Sequence, residues 1–276
     1  FAFWAWAIEA LKAKHPELIF LSEAFTRPKI MHRLAKLGFT QSYTYFPWRN
    51  TKAELTEYFS ELAHSASREY FRPNHWPNTP DILTAALQTG GRPTFMARVV
   101  LAATLGANYG IYGPAFEHCE NAPREPGSEE YLNSEKYEIR HWDIARADSL
   151  APLITRLNRA RRENRALQQE WNLLFVPSDN AELICYAKFD DARASVIVTA
   201  VSLDPYHKRS AFLELPLAEL GIDDAHAYEL EDLLTGERYV WQGARNYVEL
   251  DPGICPAHVF RIRQQLRSEK DFEYFA

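Results

Sequence analysis

Two carboxylates in this sequence fall at the ends of segments that could deliver them to one site. Glu23 follows the apolar run Ile19-Phe20-Leu21 and Ser22, which reads as a buried strand leaving a core. Asp81 ends the loop RPNHWPNTPD, residues 72–81, which also carries Asn74, His75 and Asn78. Breaking a bond at an anomeric carbon passes through a cation-like state. One carboxyl must exchange a proton with the departing or entering oxygen, while another stays ionised beside the ring. Glu23 suits the first task, because partial burial among Phe20, Phe25 and the aromatic run from Tyr43 to Trp48 should raise its pKa. Asp81 suits the second. Spacing alone leaves plainer readings open. A strand-end glutamate is commonly a solvent-facing cap or an ion-pair partner. Asp81 follows Pro80 and precedes a helical run, so it could simply stabilise a helix N-terminus. His75 reads more readily as a packed loop residue than as a catalyst. Glu117, His118, Cys119 and Glu120 are metal-ligand types, but four consecutive residues reach one ion only through a loop, so no metal site is expected.

For two such groups to meet, the chain must bring several strand ends to one rim. Up to about Arg165 it alternates helix and strand. Helices are expected over 3–14, 28–36, 52–66, 80–87 and 95–105, and strands over 18–21, 39–46, near 70–74 and over 107–112. Leu55, Tyr58, Phe59 and Leu62 share one face of the third helix. Such alternation with short links argues for a parallel sheet covered by helices, where ligands meet the carboxyl ends of the strands. A long helix follows over 149–169; its arginines, Arg156, Arg159, Arg161, Arg162 and Arg165, read as a solvated face. After Trp171 the pattern changes to eight successive strands, over 172–176, 182–189, 195–202, 211–215, 227–231, 238–241, 246–250 and 257–262. Asp-Asn, Asp-Pro, Thr-Gly and Pro-Gly turns separate them, as in an antiparallel sandwich. The division expected is an α/β part over 1–167 and an all-β part over 168–276. The tail RSEKDFEYFA reads as a frayed end.

The 276 residues, 46% of them hydrophobic, can bury a sizeable core. The net charge of −6 gives no electrostatic support for nucleic-acid or anionic-membrane partners. Cys119, Cys185 and Cys255 are too few and too scattered for a disulfide framework or a zinc cluster, which fits a reducing cytoplasm. No apolar run is long enough to span a bilayer. Phe1 opens the chain in the middle of a helical pattern, so a fragment of a longer polypeptide is expected.

The segments LSEAFTRPKIMHRLAKLGFTQSYTYFPWRN (21–50), FRPNHWPNTPDIL (71–83), GGRPTFMARVVLAATLGANYGIYGPAFE (90–117) and NSEKYEIRHWD (133–143) resemble the α-amylase superfamily. Within it they are most similar to the α-1,4-glucan:maltose-1-phosphate maltosyltransferases, which extend a linear α-1,4-glucan with maltosyl units from α-maltose 1-phosphate. The pairing of SEAFTRP with PNTPDI carries most of the likeness. The resemblance implies the second half of a (β/α)8 TIM barrel followed by a β-sandwich, and a retaining double displacement. It implies Glu23 as general acid/base, Asp81 as transition-state stabiliser, and Lys136 and Tyr137 as contacts to the donor's maltosyl unit. It implies no cofactor, and a homodimer at full length. The family's nucleophilic aspartate and the arginine close before it belong on a barrel strand ahead of FAFWAW, so this chain alone is expected to be inactive. Half a barrel should also leave an open strand edge and a bare apolar face. Two alternatives stay open: an amylase-type hydrolase or transglycosylase, and a non-catalytic glucan-binding fragment.

Overall fold

A computed structural model of the chain describes residues 1–263; the predicted frayed tail lies outside them. The first part is a short parallel sheet with helices packed around it. Strands β1 (Leu21–Ser22), β2 (Gln41–Tyr43) and β3 (Pro73–Asn74) lie side by side in that order. All run parallel, with Ser22 opposite Ser42 and Ser42 opposite Pro73. A parallel bridge from His75 to Tyr109 adds a fourth position. Helices α1 (Ala2–Lys12), α2 (Pro28–Lys36), α3 (Lys52–His64), α4 (Ala85–Thr89), α5 (Gly91–Leu105), α6 (Gly113–Glu117) and α7 (Ala151–Glu163) complete this part.

The strands are shorter than the sequence suggests. Residues 107–112 form one bridge rather than a ladder, and 66–69 are a 3-10 turn ahead of β3. Residues 46–48 are likewise a 3-10 turn, with Pro47 inside it. Helix α4 starts at Ala85, because 79–82 closes on itself through paired Thr79–Ile82 backbone hydrogen bonds. The long final helix stops at Glu163 and gives way to a 3-10 turn over Arg165–Gln168.

The expected burial of 18–21 also fails. β1 pairs only with β2, so Ile19 and Leu21 remain 67% and 48% exposed, and on α1 Phe3 and Trp6 are 60% and 65% exposed. This is the bare edge and face that half a barrel leaves.

Eight antiparallel strands make up the second part: β4 (Leu173–Val176), β5 (Leu183–Phe189), β6 (Val196–Ser202), β7 (Arg209–Glu214), β8 (Ala227–Asp232), β9 (Arg238–Gln242), β10 (Arg245–Leu250) and β11 (Ala257–Arg263). They correspond to the eight runs read from the sequence, with ends moved by one or two residues. A six-stranded sheet has the order β4-β5-β6-β11-β8-β9, and β7 and β10 form a separate pair. A short helix α8 (Leu217–Leu220) was not foreseen.

Helix α5 is buried on every side from Phe95 to Leu105, as a helix that is largely apolar all round must be; its two polar side chains, Arg98 and Thr104, are hydrogen-bonded. The largest core cluster runs through it without a break. It joins Phe46, Leu55, Phe59 and Leu83 of the first part to Leu173, Ile184, Tyr186, Ile197 and Val259 of the second.

Where α5 ends, Gly106 lies against the ring of His75. A Cβ there would stand 2.2 Å from Cδ2 and 2.5 Å from Nε2 of a ring that is wholly buried. We expect Gly106→Ala to destabilise the chain by about 1–3 kcal/mol, the range for overpacking a filled core. A lowered denaturant midpoint at an unchanged slope is the check.

Candidate active site

Because β1, β2, β3 and the Tyr109 bridge are parallel, the segments after Ser22, Tyr43, Asn74 and Tyr109 leave at the same rim. Glu23 is the first residue past β1. Asp81 reaches the rim through the loop after β3, which is held from inside by Asn78. That wholly buried amide donates to the Tyr131 hydroxyl at 2.8 Å and accepts the Tyr112 N–H at 2.9 Å. The Asp81 N–H donates to Thr79 Oγ1 at 3.1 Å, and no helix begins at Asp81, which removes the helix-stabilising explanation.

The aromatic run after β2 builds a wall beside Glu23. Phe25 packs against Tyr43, Tyr45 and Trp48 with centroids 6.2, 6.3 and 5.4 Å away. The Tyr45 hydroxyl donates to the Thr26 carbonyl at 2.6 Å, fixing the same loop from the side. Trp76 stacks on Tyr43 at 5.1 Å and lies so close to Gly110 that a Cβ there would meet the indole at 2.3 Å. Glu23 nonetheless stays exposed, because the wall covers one side of it only. Burial of that side, and then the negative charge of Asp81, raise its pKa above the ordinary glutamate value. Burial and then Glu23 in turn raise the pKa of Tyr43. Glu23 therefore feels the charge of Asp81 across the rim.

Asp81 is held by a cation. Lys136 Nζ lies 2.5 Å from Asp81 Oδ1 and 3.3 Å from Glu130 Oε1, while Arg124 meets the other oxygen of Glu130 at 2.8 Å. Hydrogen bonding to Asp81 keeps the Lys136 ammonium protonated well beyond its usual range. Tyr137 is 67% exposed, with its ring centroid 5.5 Å from Lys136 Nζ. The structure thus brings Glu23, Asp81 and Lys136 to one rim, with Tyr137 at its outer margin.

Other candidates fall elsewhere. His75 is buried, packs on Phe59 at 4.7 Å and shares a 3.0 Å hydrogen bond between Nδ1 and Thr44 Oγ1. Burial, then Lys188 and Arg161, push its pKa down to about 3, so it is a neutral packed residue. Glu117 to Glu120 close the end of α6, with Cys119 in a left-handed backbone conformation. No cluster of three or more metal-ligand side chains occurs among the described residues. A cavity of about 240 Å3 between α7 and the 232–236 turn has its charges matched internally, Arg159 with Glu163 and Arg261 with Glu231.

Three acidic residues from one loop escape any reading of the sequence. Glu129 accepts from the Trp48 indole, Glu130 holds Lys136, and Glu135 accepts from both the Tyr112 hydroxyl and the Trp142 indole. Their partners lie up to 81 positions away, beyond any local pattern.

Sequence comparison matches residues 175–262 to the family described as GLGE, C-terminal. An α-1,4-glucan:maltose-1-phosphate maltosyltransferase of Chlorobaculum tepidum is 50% identical over 95% of this chain and 40% of its own length. One of Streptomyces coelicolor is 52% identical over 95% of this chain and 38% of its own. The chain therefore spans about two-fifths of the length of these curated relatives. Among solved structures, a Geobacillus thermoleovorans α-amylase complexed with acarbose overlays 96% of the chain at TM-score 0.68 and 14% identity, covering 57% of that enzyme. An α-amylase from H. orenii overlays 95% of the chain and 56% of itself at TM-score 0.66 and 12% identity. At such identities these overlays establish the fold alone: part of a (β/α)8 barrel followed by a β-domain. By sequence, the chain is a homologue of the α-1,4-glucan:maltose-1-phosphate maltosyltransferases.

Proposed function

We propose that this chain supplies the acid/base side of a retaining maltosyl-transfer site. The attacking carboxylate would come from a preceding barrel strand of a longer polypeptide. The observation that carries the reading is the approach of Glu23, Asp81 and the Lys136 ammonium at one rim of a parallel sheet. Identity of about half to maltosyltransferases supports the substrate class. The donor is α-maltose 1-phosphate and the acceptor the end of an α-1,4-glucan. The missing aspartate attacks C1, phosphate departs with the bonding electrons, and a β-maltosyl ester forms. Glu23 then takes the proton of an acceptor 4-hydroxyl as its oxygen attacks C1, which frees the aspartate and restores the α configuration. Asp81 stays ionised beside the ring, where positive charge develops. Lys136 holds Asp81 in place and offers its one remaining N–H donor to the maltosyl unit, with Tyr137 flanking it.

On this reading residues 1–167 are the barrel half and 168–276 the β-domain, and the full-length enzyme is a homodimer. It works in a reducing cytoplasm, where the three cysteines stay as free thiols. No helix among the described residues is long and apolar enough to cross a membrane.

The deciding experiment gives a polypeptide of the relatives' full length that carries this chain α-maltose 1-phosphate and a maltooligosaccharide. Phosphate release coupled to extension in steps of two glucose units is expected. Starch hydrolysis indifferent to phosphate would favour an amylase-type hydrolase. Glucan binding without turnover would favour a binding fragment. Lys136→Ala should raise KM for the donor by roughly ten- to a hundredfold, the worth of a charged hydrogen bond to a ligand. A donor KM equal to the parent's would remove Lys136 from the subsite.

A further inference from the structure

We propose that Glu129 is a positioning residue that sets the separation of the two candidate carboxylates; this rests on the reading of Glu23 and Asp81 given above. Glu129 bonds the Asp81 loop directly at Leu83 and reaches the Glu23 loop through Trp48, whose ring packs on Phe25; Leu83 and Phe25 are each the second residue past the carboxylate. Towards Glu23, both of its carboxylate oxygens accept from the Trp48 indole N–H, at 3.0 and 3.2 Å. Trp48 stands edge-on to Phe25 at 89°. Towards Asp81, the backbone carbonyl of Glu129 accepts from the Leu83 N–H at 2.6 Å. The next residue, Glu130, holds the lysine that holds Asp81.

Each link in this chain of contacts is constrained by more than one partner. The 3-10 turn that carries Trp48 is pinned by Arg98. Its guanidinium is buried over the Phe46 ring at 3.9 Å and donates to the Phe46 and Arg49 carbonyls at 2.5 and 2.6 Å. The turn therefore cannot drift, and the orientation of the indole within it is set by Glu129. Phe25 in turn is enclosed by Tyr43, Tyr45 and Trp48. Without the indole anchor, Trp48 can rotate away, and the wall beside Glu23 opens to water. The Gly127–Lys136 segment thus works as a clasp across two barrel loops, and a carboxylate misplaced by an ångström costs of the order of a hundredfold in rate.

The groups that face Glu23 are Asp81 and Tyr43. Neither is removed by a change at Glu129, so what changes is the water around the Glu23 carboxyl. In the full-length enzyme, Glu129→Ala should lower kcat by about ten- to a hundredfold. It should also move the limb of the kcat/KM pH profile that reports Glu23 to lower pH, since wetting favours the anion. A smaller folded fraction would lower kcat without moving that limb. Glu129→Gln keeps an oxygen that accepts from the indole and should restore both rate and limb nearly to the parent's. Trp48→Phe removes the indole N–H while leaving a ring against Phe25, and should reproduce the limb shift if Glu129→Ala does not fold. In the 276-residue chain, the Trp48 indole proton resonance should move in Glu129→Ala and hold its place in Glu129→Gln.

Equal losses for the alanine and glutamine variants would overturn the proposal, as would an unmoved limb or an unmoved indole resonance in the alanine variant. Full activity in Glu23→Gln sinks the underlying reading instead, whatever Glu129 does. An inactive Glu23→Gln beside a parent-like Glu129→Ala sinks the positioning role alone.

Discussion

Glu23→Gln, in the full-length enzyme, should cut steady-state glucan extension by about a hundred- to ten-thousand-fold, the span a general acid/base contributes. The loss should fall unevenly on the two halves of the reaction. Phosphate is a good leaving group and departs from C1 with little need of a proton, so formation of the glycosyl ester should survive. Transfer to the 4-hydroxyl requires a base and should stall. Rapid-quench measurement should then show a burst of phosphate near one equivalent per site, followed by a slow phase. The acid limb of the parent's pH profile should lie above the ordinary glutamate range, because burial and Asp81 both disfavour the Glu23 anion. That limb should vanish in the variant. Steady-state extension at the parent's rate would take Glu23 out of the mechanism.

The distribution of what could and could not be read in the sequence follows from range. The β-domain was readable strand by strand. Alternation along each strand and turn residues between them are local signals, and all eight strands appear where expected. The barrel half was readable as alternation but not in its boundaries. Parallel strands of two or three residues are too short to show a period-two pattern, so 107–112 looks like a strand and makes only one bridge. The apolar look of Ile19 and Leu21 suggested burial, which needs a second neighbouring strand that β1 does not have. Glu23 and Asp81 could be found because motifs carry them. Glu129, Glu130 and Glu135 could not, since their partners are fixed by a loop that folds back over the rim and no spacing rule reports that.

The largest effect on stability should come from Lys188, buried where the two parts meet, and the half-buried charges beside it. Lys188, on β5, is 1% exposed and donates to the Leu105 and Gln169 carbonyls at 3.2 and 2.5 Å. Glu170 accepts the Ala107 N–H at 2.8 Å, and Arg161 reaches from α7 to the carbonyls of Ala103, Gly106 and Ala107 at the end of α5. Burial pushes Lys188 and Glu170 towards their neutral forms, and each opposes that displacement in the other.

Lys188→Met keeps the volume and removes the charge. It leaves Glu170 with less compensation and should cost about 3–5 kcal/mol at neutral pH, read as a lower denaturant midpoint. The pH dependence has a definite sign. With Lys188 gone, the folded-state pKa of Glu170 rises further above its unfolded value, so the folded state binds more protons in the window between the two. The deficit should be full above the folded pKa and shrink as pH falls towards the ordinary glutamate range. Adding Glu170→Gln to Lys188→Met should recover most of the loss and flatten that dependence. A deficit that ignores pH would mean that the lysine acts through packing alone.

Helix α5 gives the seam between the parts an unexpected character. Since its apolar circumference is shared by barrel and sandwich, the place where chain composition changes is not a place where cohesion weakens. A protease that nicked the peptide near Gln169 would release nothing, because the two pieces would stay married through a common interior. For the same reason, grafting this β-domain onto another barrel means bringing its half of that interior along. Such a pair is expected to be inherited and lost together rather than traded as separate parts.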